Sequence, residues 1–133
     1  ISTITGAGAI SMGVAVRMTA PATDTMYVCR AQINAGDTIT TRIQRRVAGV
    51  TANLTSETST TWVGGDVIKL EVVGTALTCK RNGATLLSTT DSNITSGKGG
   101  LFLFSPAAVA DAVLDNFEVG DMGRRPIGPV LFQ

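Results

Sequence analysis

Apolar and polar residues alternate with a period of two through most of the chain, most clearly from Gly64 to Phe104. Ile68, Leu70 and Val72 alternate with Lys69, Glu71 and Val73, which sends one set to each face of an extended segment. Gly74-Thr75 breaks that run, and Leu77 and Cys79 resume it against Thr78 and Lys80. Asn82-Gly83 is the dipeptide best able to hold the positive φ angles of a two-residue type I′ turn, so Ala84 to Thr90 is the returning strand. The pattern predicts strand, turn, strand, turn, strand in one unbroken stretch.

The rest of the chain reads the same way. Residues 1–9 are small and Gly-rich, an edge strand or an arm. From Ile10 to Met18 the residues Ile10, Met12, Val14, Val16 and Met18 share one face of a predicted core strand. A turn is expected over Ala20 to Asp24, where Pro21 fixes φ and offers no donor to a ladder. Met26 to Ile33 sets Tyr27, Cys29, Ala31 and Ile33 on one side and Met26, Val28, Arg30 and Gln32 on the other. Asn34 to Asp37 closes a hairpin into Thr38 to Val47, whose Ile39, Thr41, Ile43, Arg45 and Val47 share a face, with Arg45 placed at the rim. Val50 to Leu54 is a short predicted strand, and Thr55 to Thr61 a Ser/Thr loop. Asp91 to Thr95 is a polar loop. The four apolar residues Leu101 to Phe104 predict a strand covered on both faces, or on one face by a neighbouring subunit, and Ala112 to Val119 is the last predicted strand. No segment has the 3.6-residue period of a helix.

Length and composition sharpen the picture. A chain of 133 residues fits one domain, here a β-sandwich over residues 1–120 followed by an extended C-terminal arm over 121–133. The sequence is 44% hydrophobic and 16% charged, which is globular, and no apolar run approaches the ~20 residues of a membrane helix; no membrane partner is expected. A net charge of +1 leaves little of the phosphate neutralisation on which nucleic-acid binding rests. The chain contains no histidine, which removes triads with a histidine base, most zinc sites and the usual proton shuttle. No phosphate-cradling glycine loop precedes a helix. An enzyme is the least favoured class, and no residue is assigned a catalytic role.

A few residues remain as candidates for binding. Trp62, beside Gly64-Gly65-Asp66, is either a sugar-stacking platform or a plug over the end of the sandwich, and the plug is favoured because a buried aromatic supplies so much core area. Arg42, Arg45 and Arg46 form a local basic cluster, with Arg42 and Arg46 on one strand face and Arg45 on the other; they are candidate glycan or partner contacts set against a solvated strand end. Aromatic residues make up 5% of the chain, so few rings remain to stack on sugars. Cys29 and Cys79 lie in predicted strands, and the reading favours two unpaired thiols behaving as small buried hydrophobes, a bridge being left to geometry that sequence does not carry. Asn53-Leu54-Thr55 and Asn93-Ile94-Thr95 are glycosylation sequons by pattern only.

At the C-terminus, Arg124, Arg125, Pro126, Val130, Leu131 and Phe132 form an arm whose apolar tip cannot bury itself, a subunit-docking segment in the expectation. Its last residues also resemble the recognition sequence of a picornaviral 3C protease, with a proline where that site has an acidic residue, so an expression scar is the other reading. The chain starts at Ile1 without a leader, as a processed product or a fragment would.

Gly65 to Gly74, Leu77 to Gly83, Asp91 to Gly97 and Leu114 to Val119 together resemble the back half of a concanavalin A-like (laminin G-like) jelly-roll sandwich, a module found in bacteriophage virion proteins and bacterial surface proteins. The resemblance implies an all-β fold of two antiparallel sheets. The family's glycosidase branch carries two glutamates and an aspartate at alternate positions of one strand; here Asp115 and Glu118 fall on opposite faces. Its lectin branch often holds calcium through Asp and Asn oxygens, and Asp91 and Asn93 offer two of the six or more ligands required, although Asx-turn bonds account for the same pair. No other cofactor is implied. The leading expectation is a non-catalytic structural module of a bacteriophage particle, a capsid decoration (cement) or tail-fibre protein on the virion exterior, in contact with copies of itself and with the major capsid or tail protein. The alternative is a glycan-binding, lectin-like module on a phage or bacterial surface.

Overall fold

The computed structural model describes residues 10–19, 23–34, 38–59, 65–104 and 120. Trp62, the strand expected over 112–119 and the arm residues Arg124, Arg125, Pro126, Val130, Leu131 and Phe132 lie outside them, as do the N-terminal segment and the domain boundary expected at residue 120. The described residues form β-strands and no helix: β1 (Ile10–Thr19), β2 (Thr25–Ile33), β3 (Ile39–Val47), β4 (Val50–Ser59), β5 (Ile68–Val73), β6 (Ala76–Arg81), β7 (Ala84–Thr90) and β8 (Lys98–Phe104). They build a five-stranded sheet in the order β4-β3-β2-β1-β8 and a three-stranded sheet in the order β5-β6-β7, with every pairing antiparallel. This is the two-sheet antiparallel jelly-roll sandwich that the family resemblance implies, built from the strands that the alternating pattern predicts.

The core lies where the two sheets face each other. Tyr27, Cys29 and Ile43 of the larger sheet are fully buried against Leu70, Leu77, Cys79 and Leu87 of the smaller one. Val14, Val16, Leu54 and Leu86 pack at the edges of that cluster. Two bulges explain how neighbouring residues share the inner face. The β6–β7 register slips between Cys79 and Lys80, so Leu86 joins Leu87 at the core; the β3–β4 register slips between Ile43 and Gln44, which brings Leu54 in.

Three expectations are corrected. Met18 does not share the face of Val14 and Val16. A bulge between Val16 and Thr19, with Arg17 at a φ of 50°, turns Met18 to the outer face beside Ala15, Met26 and Val28. The strand after Val50 does not end at Leu54 but runs to Ser59, since its Thr residues are β-branched and pair along β3. Cys29 and Cys79 are bonded to each other, and no cysteine is free. Their Cα atoms stand 6.1 Å apart across the two sheets, a separation that suits a disulfide.

The hairpin turns follow local chemistry. Asn82 and Gly83 have φ values of 50° and 82°, as the Asn-Gly pair predicts. Ala48 and Gly49 repeat that geometry between β3 and β4, with φ values of 49° and 81°. An alanine Cβ is strained there, whereas asparagine tolerates the left-handed region. Ala48→Asn is therefore expected to stabilise the fold by up to about 1 kcal/mol, read as a higher urea midpoint at unchanged slope.

Candidate functional site

The two faces of the larger sheet differ in chemistry. Since Cys29 and Ile43 point inward, the residues beside them in sequence on β2 and β3 point away from the smaller sheet. On that outer face Arg30 lies opposite Arg42, Val28 opposite Gln44, and Gln32 opposite Thr40; the β3–β4 pairing adds Asn53 opposite Gln44 and Thr58 opposite Thr40. The result is a field of planar amide and guanidinium groups on three adjacent strands.

These groups are held by one another. Gln32 Oε1 accepts from Arg30 Nη2 at 2.7 Å and from Arg42 Nη1 at 2.9 Å. Gln32 Nε2 donates to Asn34 Oδ1 at 3.1 Å, and Asn34 Nδ2 donates to Thr40 Oγ1 at 2.9 Å. Thr40 and Thr58 share a hydroxyl bond of 3.1 Å, and Gln44 Nε2 donates to Asn53 Oδ1 at 2.5 Å. A side chain fixed in this way loses little rotamer freedom when a ligand arrives, so the face is preorganised for polar recognition.

The three arginines expected as one cluster serve three purposes. Arg46 makes a two-pronged ion pair with Asp24, at 2.9 and 2.8 Å, near the C-terminal end of β3. Its hydrogen bonds hold the Asp24 carboxyl below the usual carboxylate range. Arg45 lies on the core-side face, half-buried near the end of β3, and pairs with Asp91. Arg42 alone of the three has no carboxylate partner among the described residues, and it is half-buried beside Gln32.

Asp91, expected to offer an oxygen to calcium together with Asn93, is the hub of an internal knot. Its Oδ1 accepts from Tyr27 Oη at 2.5 Å, from the Asn93 backbone N–H at 2.9 Å and from Asn93 Nδ2 at 3.0 Å, while Oδ2 takes Arg45. Burial pushes the Asp91 carboxyl up, but the bonds from Tyr27, Asn93 and Arg45 together outweigh it and hold it at about 2. Tyr27 Oη also accepts the Ile94 N–H at 3.0 Å. Ile94 is buried, an anchor hidden in a stretch that reads as a polar loop. Arg17 completes the fastening, donating to the Ile94 carbonyl at 2.8 Å and to the Gly74 carbonyl at 2.7 Å. Both Asp91 oxygens are thus engaged by protein donors, and no three His, Cys, Asp or Glu side chains gather into a metal-holding group among the described residues.

Sequence reasoning passed over Arg30, Gln32, Gln44 and Asn53. The available signal was long planar side chains at alternate positions on two successive strands, on the face opposite the apolar one.

Fold and outer face together define a β-sandwich module with a preformed polar sheet surface. Over 78% of its length the chain is similar in structure to a carbohydrate-binding module, CBM66 from Bacillus subtilis, with a TM-score of 0.63 and 15% sequence identity. The match takes in 63% of that chain, less than two thirds of its length. No family model matches the sequence, and no curated protein matches it.

Proposed function

We propose that the protein is a non-catalytic, glycan-binding module whose sugar-contact surface is the outer face of the five-stranded sheet around the half-buried Gln32 and Arg42, with the buried Gln44 bracing that face from within. The observation that carries this reading is the preformed ladder of amide and guanidinium groups across β2, β3 and β4. Such groups can donate to and accept from the hydroxyls of a sugar, and their mutual bonds hold them in one plane of approach. The structural likeness to a carbohydrate-binding module supports the choice. The buried Cys29–Cys79 disulfide fits a working place in an oxidising environment, such as a cell or particle surface.

A structural role in a phage particle, with protein subunits as partners and a place on the virion exterior, is the second reading. Its one described support is Leu101, 47% exposed on β8, the last described strand at that edge of the sheet. One experiment separates the two. The protein is passed over an array of neutral and acidic glycans while its mass in solution is measured. A monomer that binds a glycan, and loses that binding on Gln32→Ala with Arg42→Ala, is the expected result. Self-association with no glycan bound would favour the particle role.

A further inference from the structure

We infer that the ligand of this face is an acidic glycan, whose carboxylate or sulfate is taken up by Arg42 beside Gln32. The inference rests on the glycan-binding reading above and adds the class of sugar. Arg30 and Arg42 are register partners on neighbouring strands and face the same side. Like charges placed directly opposite each other destabilise a sheet. Gln32 Oε1 accepts from both guanidinium groups and so orients the Arg42 fork beside Arg30. Burial, and then the charge of Arg42, hold the Arg30 guanidinium below its ordinary pKa while it stays charged. The remaining N–H groups of Arg42 have no partner among the described residues, and its side chain is neither buried nor loose.

The neighbouring arginines show what this chain does with a guanidinium it means to neutralise internally. Arg45 is given Asp91 and Arg46 is given Asp24. Arg42 is given an amide, which orients the fork without cancelling its charge. A planar fork with free N–H groups matches a carboxylate or a sulfate far better than it matches a hydroxyl. The amide of Gln32 is itself fixed by Asn34, so it can serve a hydroxyl adjacent to the acidic group. A net charge of +1 and a single such patch are too little for the many phosphate contacts of a nucleic acid, which points to a short anionic saccharide.

The test uses the full chain and isothermal titration with four oligosaccharides of similar length: oligogalacturonate for the carboxylate, dextran sulfate for the sulfate, and dextran and a fructan as neutral counterparts. Expected is binding of at least one acidic oligomer about tenfold or more tighter than either neutral one, weakening as salt is raised. Arg42→Gln should lose that advantage while the protein still unfolds in one cooperative transition, and Arg42→Lys should recover only part of it, since lysine keeps the charge and loses the fork. Should Arg42→Gln fold poorly, the salt dependence of the wild type and the Arg42→Lys variant carry the test. Equal binding of neutral and acidic oligomers, or an acidic preference that survives Arg42→Gln, overturns the inference and leaves the glycan-binding reading standing. Binding of none of the four, together with silence on a broad glycan array, overturns both.

Discussion

Replacing Cys29 and Cys79 together with alanine is expected to remove about 4 kcal/mol of stability and to lower the melting temperature by roughly 12 to 16 °C. The bond joins residues separated by 50 positions, so it closes a long loop and strongly restricts the unfolded chain. It also sits at the centre of the sandwich: β2 is the middle strand of the larger sheet and β6 the middle strand of the smaller one. Both cysteines are completely buried. Alanine is the right substitute because serine would add an unpartnered hydroxyl to the core. The chain has no other cysteine, so dithiothreitol under mildly denaturing conditions should shift the wild type onto the melting curve of the double variant and leave the variant itself unmoved. A wild-type melting curve indifferent to the reductant would refute the bridge.

The second large effect is expected at Asp91. Asp91→Asn should cost about 3 kcal/mol at neutral pH, because it removes the charge-assisted hydrogen bonds of a buried carboxylate and leaves the half-buried Arg45 without its counter-charge. The Asp91 side chain is 7% exposed and serves Tyr27, Asn93 and Arg45 at once. An asparagine keeps one acceptor oxygen but turns an amide NH2 towards groups that are themselves donors. The change therefore loosens the loop that carries Ile94 and the tether from β7 back to the larger sheet.

The same carboxylate makes stability depend on pH in a defined direction. Its folded pKa of about 2 lies below the ordinary 3.8, so its contribution is fully present above pH 4 and is lost as the pH falls through 2. The difference corresponds to about 2.5 kcal/mol. Asp24 and Glu71 are lowered as well, chiefly by hydrogen bonds from Arg46 and from Lys69, and they slope the same way. Urea unfolding between pH 2 and 6 should show the stability of the wild type rising with pH and that of Asp91→Asn rising less. Parallel curves would mean that the carboxylate titrates as a free one does.

These two sites also mark where local reading stops. The strands β5, β6 and β7 are legible from alternation and from the Asn82-Gly83 turn because both signals are local: a period of two sends side chains to opposite faces, and few dipeptides accept two positive φ angles in a row. The inward set of β2, with Tyr27 and Cys29, is legible for the same reason. Met18 is not, since a single inserted residue at a bulge reverses the face of everything beyond it. Of the candidate site, Arg42 could be named from the sequence, but what separates it from Arg45 and Arg46 could not.

The order of apolar and polar residues, with the turn dipeptides, by itself determined an all-β chain, the placement of most strands and the face each turns to the core. The tertiary structure alone decided that Cys29 meets Cys79, that Arg45 meets Asp91 across 46 intervening steps of chain, and that Gln32 accepts from two guanidinium groups. Each of those contacts depends on strand register and on how the two sheets are laid over each other. Those are set by the packing of the whole sandwich, so no window of sequence contains them.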